Sequence, residues 1–261
     1  MEFDAGGKGV VWKTPLPGRA CSTPVVAKGH LFITSPIDGK DSLVAYDLNG
    51  EEKWRQTYGE QTPGRGQRAG SSANSSPLHY KTNVIVVVMQ TEGNSYLVSF
   101  DLKSGKVSWK TDRKFETAKE SGDSYTSPHL ITVDGVDTVV SFGADHVTGH
   151  CAQSGELLWF SGGINPETKG MWRTIASSVV TGGVVVVPHG RGEYLMGIKA
   201  GGKGDITETN VLWRKKMATA DAATLVGHDG KVYQIVDRGK SPGVGGARRG
   251  AGGSCPPHSQ R

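Results

Sequence analysis

The sequence predicts an all-β fold: an incomplete β-propeller of four-stranded antiparallel blades, with about four full blades and partial blades at both ends. Three observations carry this. Trp12, Trp54, Trp109, Trp159 and Trp213 recur at gaps of 42, 55, 50 and 54 residues, a period that marks repeat architectures. Each Trp closes a similar Gly-containing phrase, such as Asp101-Leu102-Lys103-Ser104-Gly105-Lys106-Val107-Ser108-Trp109. A small-residue landmark lies upstream of each phrase, and short β-branched runs fill the interval.

Taken in order, the chain opens with a lone outer strand expected around Val10-Val11-Trp12. The first full unit starts at Ser22-Thr23-Pro24-Val25-Val26 and runs through Leu31-Phe32-Ile33-Thr34 and Leu43-Val44-Ala45-Tyr46 to Trp54. The second starts at Ser75-Ser76-Pro77-Leu78 and uses residues 84–88 and 96–100 before Trp109. Thr126-Ser127-Pro128 and residues 138–141 open the third, which ends at Trp159. Ser177-Ser178-Val179-Val180 and residues 184–187 open the fourth, whose phrase is stretched between Lys199 and Leu212. A fifth unit begins at Thr224-Leu225-Val226 and residues 232–235, then loses its pattern. Each unit reads as four strands, A to D, with Gly, Asn, Asp and Ser at the turns. Sustained helical periodicity is absent. One Trp at the same point of every unit favours a propeller over a β-sandwich. The tryptophans are expected to dock between blades, with the preceding Gly supplying a positive-φ turn. Trp172 stands outside the pattern.

These phrases resemble the quinoprotein-type, or PQQ-like, propeller repeat. Asp101, Ser104, Gly105, Lys106 and Trp109 match its Trp phrase best. Asp47, Gly50 and Trp54 match with one residue fewer, and Ser154, Gly155, Glu156 and Trp159 match without the Asp. The family holds quinone-dependent alcohol and sugar dehydrogenases, non-enzymatic propellers of outer-membrane protein assembly, and sensor domains. The resemblance is closest in character to the assembly lipoproteins. The adjacent Cys pair and Cys-x-x-Cys-His haem motif of the dehydrogenases do not occur, since Cys21, Cys151 and Cys255 stand alone. Relatives are mostly periplasmic, which suggests an exported protein. The sequence itself leaves localisation unknown, because the start has no basic-then-apolar leader.

The 261 residues are too few for eight such units, which would need roughly 400. The chain thus reads as an open arc, a fragment of a longer parent, with exposed sheet edges that invite self-association. Residues 1–239 form the propeller. Residues 240–261 are Gly-, Pro- and Arg-rich, and read either as a flexible tail or as an out-of-frame end, the second being favoured. Lys240, Arg248, Arg249 and Arg261 supply four of the net +5 charges, which leaves +1 for residues 1–239. The charge is therefore no argument for nucleic acid binding. No run approaches a membrane span.

In a propeller the D-to-A and B-to-C loops share one face, and binding residues tend to sit on such loops. The D-to-A loops are expected at residues 55–75, 110–126 and 160–176. Arg19, Asn74, Tyr125, Arg173 and Asp221 precede strands A and should crowd the channel mouth, with Arg65, Arg68, Asp123 and Trp172 nearby. Arginines there suit a carboxylate or an acidic peptide; the plainer alternative is a solvated polar rim. His146, His150 and His189 read as scattered loop histidines, because no metal-ligand spacing links them. The glycines of residues 64–70 lack a phosphate-loop spacing and read as a mobile loop. The Asn74-Ser75-Ser76 glycosylation triplet is discounted at a strand start.

The expectation is a non-catalytic scaffold that binds a protein or peptide segment without a cofactor. The alternative is a fragment of a pyrroloquinoline-quinone-dependent alcohol or sugar dehydrogenase whose cofactor residues lie in missing blades, which would require that quinone with calcium.

Overall fold

A computed structural model describes residues 9–18, 21–60 and 75–236. The first blade is β1 (Val25–Ala27), β2 (His30–Ile37), β3 (Lys40–Asp47) and β4 (Glu52–Glu60). The second is β5 (Leu78–Tyr80), β6 (Asn83–Val88), β7 (Tyr96–Asp101) and β8 (Val107–Asp112). The third is β9 (His129–Val133), β10 (Val136–Gly143), β11 (His146–Cys151) and β12 (Leu157–Ser161). The fourth holds β13 (Val179–Thr181), β14 (Val184–His189), β15 (Tyr194–Lys199) and β17 (Val211–Lys216), with β16 (Gly204–Asp205) in its last connection. A two-stranded sheet of β18 (Val226–His228) and β19 (Lys231–Tyr233) follows.

Within each blade the strands are antiparallel neighbours in chain order. The short first strands approach one another in sequence, β1 beside β5, β5 beside β9, β9 beside β13 and β13 beside β18. They line the axis of an incomplete, open β-propeller.

The middle strands are apolar along their length because neighbouring blades cover both faces: every residue of Val84 to Val88 is at most 1% exposed. The outer strands alternate instead, as in β8. The cores therefore lie between blades. One packs Phe32 and Leu43 against Val86 and Phe100, and another packs Val140 and Phe142 against Val185 and Ile198.

Each phrase before a tryptophan folds as one tight turn. Asp47 Oδ1 accepts from the Asn49 and Glu51 amides, and Asp101 Oδ1 from the Ser104 amide and hydroxyl. Gly50, Gly105 and Gly155 have φ of 84°, 69° and 80°. The indole of the preceding blade lies on each of these glycines. A Cβ at Gly50 would stand 2.6 Å from Trp12, at Gly105 2.8 Å from Trp54, and at Gly155 2.5 Å from Trp109. Trp12 and Trp54 donate through Nε1 to the Leu48 and Leu102 carbonyls at 2.7 and 3.1 Å. Across its own blade each Trp faces a small residue: Ala45 opposite Trp54, Ser99 opposite Trp109, Gly149 opposite Trp159, Gly197 opposite Trp213. A β-bulge adjoins every one of these pairs, which aims the indole over the neighbouring strand.

Three expectations need correction, and a fourth gains detail. Residues 10–16 around Trp12 form no strand; the indole is held by its contacts with Gly50 and Leu48. The stretch 55–60 belongs to β4 rather than to the loop after it. The fifth inner strand starts at Val226, past Thr224 and Leu225. The stretched phrase of the fourth unit is an added element. β16 pairs in parallel with β12, Trp159 opposite Gly204, and a short helix α1 (Thr207–Asn210) returns the chain to β17. The Ile206 amide donates to the Phe160 carbonyl, and the Gly162 amide donates to the Thr207 hydroxyl, both at 2.8 Å. Trp159 is consequently only 1% exposed. Residues 240–261 lie outside the described residues, as does the glycine-rich stretch 64–70.

Candidate functional site at the loop face

Long connections after β8, β12 and β17 converge with the β10–β11 and β14–β15 turns on one face. Their inner segments are tied by main-chain hydrogen bonds. The Thr174 amide donates to the Asp123 carbonyl at 3.1 Å, and the Tyr125 amide to the Thr174 carbonyl at 3.0 Å. The Ala176 amide donates to the Asp221 carbonyl at 3.0 Å. Asp123 is 8% exposed, and its Oδ1 accepts from the Thr91 amide at 2.7 Å. Burial, reinforced by the Asp123 charge, pushes the Tyr125 phenol up to about 12.

Ion pairs span the mouth. Arg173 Nη1 donates to Glu120 Oε1 at 3.1 Å, and Arg191 Nη1 lies 3.7 Å from the same oxygen. Arg191 Nε lies 3.5 Å from Asp221 Oδ2, while its Nη1 donates to the Met171 carbonyl at 3.0 Å. Glu120 is placed by a 3-10 turn, Lys119–Gly122, that follows β8. An aromatic cluster sits beside these pairs. His189 stacks on Tyr194 at 5.1 Å, and Trp172 lies 6.1 Å from His189 and 5.9 Å from Tyr194. Trp172, Arg173, Arg191, His189, Asp145 and Asp221 line one cleft. Asp145 accepts from Asn165 Nδ2 at 3.2 Å, and burial raises its carboxyl to about 6. Burial lowers the His189 imidazole to about 4.

Of the residues expected at the mouth, Asp123, Tyr125, Trp172, Arg173 and Asp221 are brought together here. Arg19, Arg65, Arg68 and Asn74 lie outside the described residues. The histidines are not loop residues: His146 and His150 stand on β11 and His189 ends β14, with His150 fully buried.

Three contributors escaped the sequence reading. Glu120 had no local signal. Arg191 had one, since Gly190-Arg191-Gly192 marks a tight B-to-C turn. Arg113, 2% exposed, carries no carboxylate among its described partners. It crosses from blade two to blade three, with Nε on Thr148 Oγ1 at 2.8 Å and Nη2 on the Gly143 and His146 carbonyls at 3.0 Å. Burial pulls its pKa down to about 9.

The fold is that of a PQQ-like β-propeller. The model of the family described as outer membrane protein assembly factor BamB matches residues 1–112 and 67–239, and the chain belongs to that family. The structure of BamB from Moraxella catarrhalis is similar, at TM-score 0.51 and 16% identity, over 86% of this chain and 59% of that one. The quinohemoprotein alcohol dehydrogenase ADHIIG from Pseudomonas putida HK5 is similar at TM-score 0.55 and 16% identity, over 85% of this chain and 40% of that one. The chain thus spans less than two thirds of either, and at these identities the likeness is one of fold. No curated protein matches the chain in sequence. No helix among the described residues is long and apolar enough to cross a membrane.

Proposed function

We propose that the protein is a non-catalytic scaffold that binds a protein or peptide segment on the loop face. The observation that carries this reading is the pre-tied mouth. Main-chain hydrogen bonds among Asp123, Tyr125, Thr174, Ala176 and Asp221 fix the segment that carries Trp172 and Arg173, and Glu120 holds the Arg173 guanidinium. Tryptophan and arginine dominate binding hot spots, and fixing them beforehand lowers the entropy lost on association. Family membership supports a protein partner and a periplasmic or exported setting. The ends of the sheets at β4, β8 and β17 are further places for strand addition, including self-association.

The described mouth does not fit a quinone with calcium. Arg173 and Arg191, which would have to hold the quinone carboxylates, are engaged by Glu120 and Asp221. Among the described residues no three His, Cys, Asp or Glu side chains gather to hold a cation.

The test is fluorescence anisotropy of the whole chain against a panel of labelled, unstructured peptides of varied charge. Saturable binding is expected, and Trp172→Ala should weaken it by about 30-fold or more, as for a hot-spot residue worth at least ~2 kcal/mol. Absence of saturable binding, or indifference to Trp172→Ala, would overturn the assignment. So would alcohol- or sugar-dependent dye reduction in the presence of pyrroloquinoline quinone and calcium.

A further inference from the structure

The Gly190-Arg191-Gly192 turn closes over buried polar atoms that nothing among the described residues satisfies. All three turn residues have left-handed φ, at 68°, 57° and 84°, a conformation that is unfavourable for Arg191. Arg191 nonetheless stays over the cleft, held by the Met171 carbonyl and by two loose ion pairs at 3.7 and 3.5 Å. Its side chain is 35% exposed, so solvent weakens those pairs.

In the cleft that this turn borders, His189 is 8% exposed, and neither ring nitrogen has a hydrogen-bond partner; Arg173 Nε also has none. Buried polar atoms without partners are few in folded proteins, and each calls for a ligand or a bound water. A neutral imidazole offers one donor and one acceptor, and Arg173 Nε adds a second donor. The two donors can share the two lone pairs of one peptide carbonyl, and the remaining imidazole nitrogen can accept from the N–H of a neighbouring peptide group. The two arginines are already matched by Glu120 and Asp221, which favours a neutral group over a further carboxylate.

We propose that the pocket beneath Arg191 is an amide subsite, which takes peptide groups of the bound segment when the Arg191 side chain swings away from Glu120 and Asp221. This rests on the reading of the loop face as a peptide-binding surface. Burial keeps His189 neutral at pH 7, as the donor–acceptor pairing requires.

The probe is N-acetylalanine N′-methylamide, added to the whole chain with nitrogen-15-labelled histidines and followed through the imidazole resonances. A saturable shift of His189 is expected. Arg191→Ala should reach saturation at about tenfold lower probe, because a partly closed site lowers apparent affinity. Arg173→Lys keeps the charge facing Glu120 but removes Nε, and should weaken binding. His189→Phe keeps the stack on Tyr194 and should abolish binding, read by anisotropy of a labelled form of the probe. No saturable shift, or an equal shift with glycerol, would overturn the amide subsite. Panel peptides that bind His189→Phe as well as the unaltered chain would sink the subsite and leave the loop-face reading intact. A His189 shift with the small amide, but no binding of any panel peptide, would keep the subsite and sink the loop-face reading.

Discussion

Gly105→Ala tests the contact between blades most directly. The new Cβ would stand 2.8 Å from Cδ2 and Cε3 of Trp54, on a residue whose φ is +69°. The left-handed backbone should cost about 1–2 kcal/mol. Crowding against a packed indole should add about 1–3 kcal/mol. The expected total is about 2–5 kcal/mol, a large share of the ~5–15 kcal/mol that holds a typical domain together. Gly135→Ala is the control, because its φ is +78° and no heavy atom lies within 4 Å of the added Cβ. It should lose only the backbone part, about 1–2 kcal/mol. Any effect of alanine on the unfolded chain is shared by both variants and cancels. The indole itself can then be removed. In a Trp54→Ala background the extra cost of Gly105→Ala should vanish, leaving a coupling of about 1–3 kcal/mol between the two sites. Urea titrations of the four variants and the parent give every number required. Equal losses for Gly105→Ala and Gly135→Ala would refute the packing, as would a Gly105→Ala cost that survives removal of Trp54.

Trp159→Ala should cost about 3–5 kcal/mol by urea titration, as expected for truncating a buried large side chain, and Trp172→Ala should cost less; equal, small losses would contradict the packing of Trp159 between blades. Arg113→Ala strips the Gly143 and His146 carbonyls of their donor at about 1–3 kcal/mol each, so a loss well under 1 kcal/mol would mean that water replaces the guanidinium. The fully buried His150 is lowered to about 4, against about 6.5 unfolded, so the unfolded chain binds more protons between those values and stability declines as pH falls through that window, by about 3 kcal/mol at most. His189 acts in the same direction, whereas Asp145, raised to about 6, favours folding as pH falls from 6 toward 4. Unfolding midpoints of His150→Phe that keep the parental pH slope would show that His150 is not its source.

The blades were legible because one structural requirement recurs at one spacing. The indoles of Trp12, Trp54 and Trp109 need a flat surface, and the positive-φ glycine of the next turn supplies it; both leave letters in the sequence. The small residue opposite each indole was not legible, since Ala45, Ser99, Gly149 and Gly197 share size rather than identity. The strand β16 was hidden because two residues carry no periodicity; only the excess length before Trp213 betrayed an added element. At the mouth, residues placed by the repeat itself, such as Tyr125, Arg173 and Asp221, were predictable from their distance to an inner strand. Glu120 and Arg113 were not. Their roles depend on side chains that reach another blade, and such contacts have no fixed offset along the chain.

The short strand that the fourth blade lends to the third changes how the whole array comes apart. In a simple repeat array each junction contributes similarly, and unfolding can begin at any of them. Here the third and fourth blades share a core containing Trp159, Val185, Ile198 and Ile206, and β16 hydrogen-bonds across the seam. Peeling the fourth blade away would leave the outer edge of β12 uncovered and Trp159 in water. These two blades should therefore exchange their amide hydrogens as one cooperative block, slower than the seam between the first and second blades. Excising the fourth blade at its boundaries would damage the third as well. An array built by repeating one unit has thus acquired a pair that no longer behaves as two units.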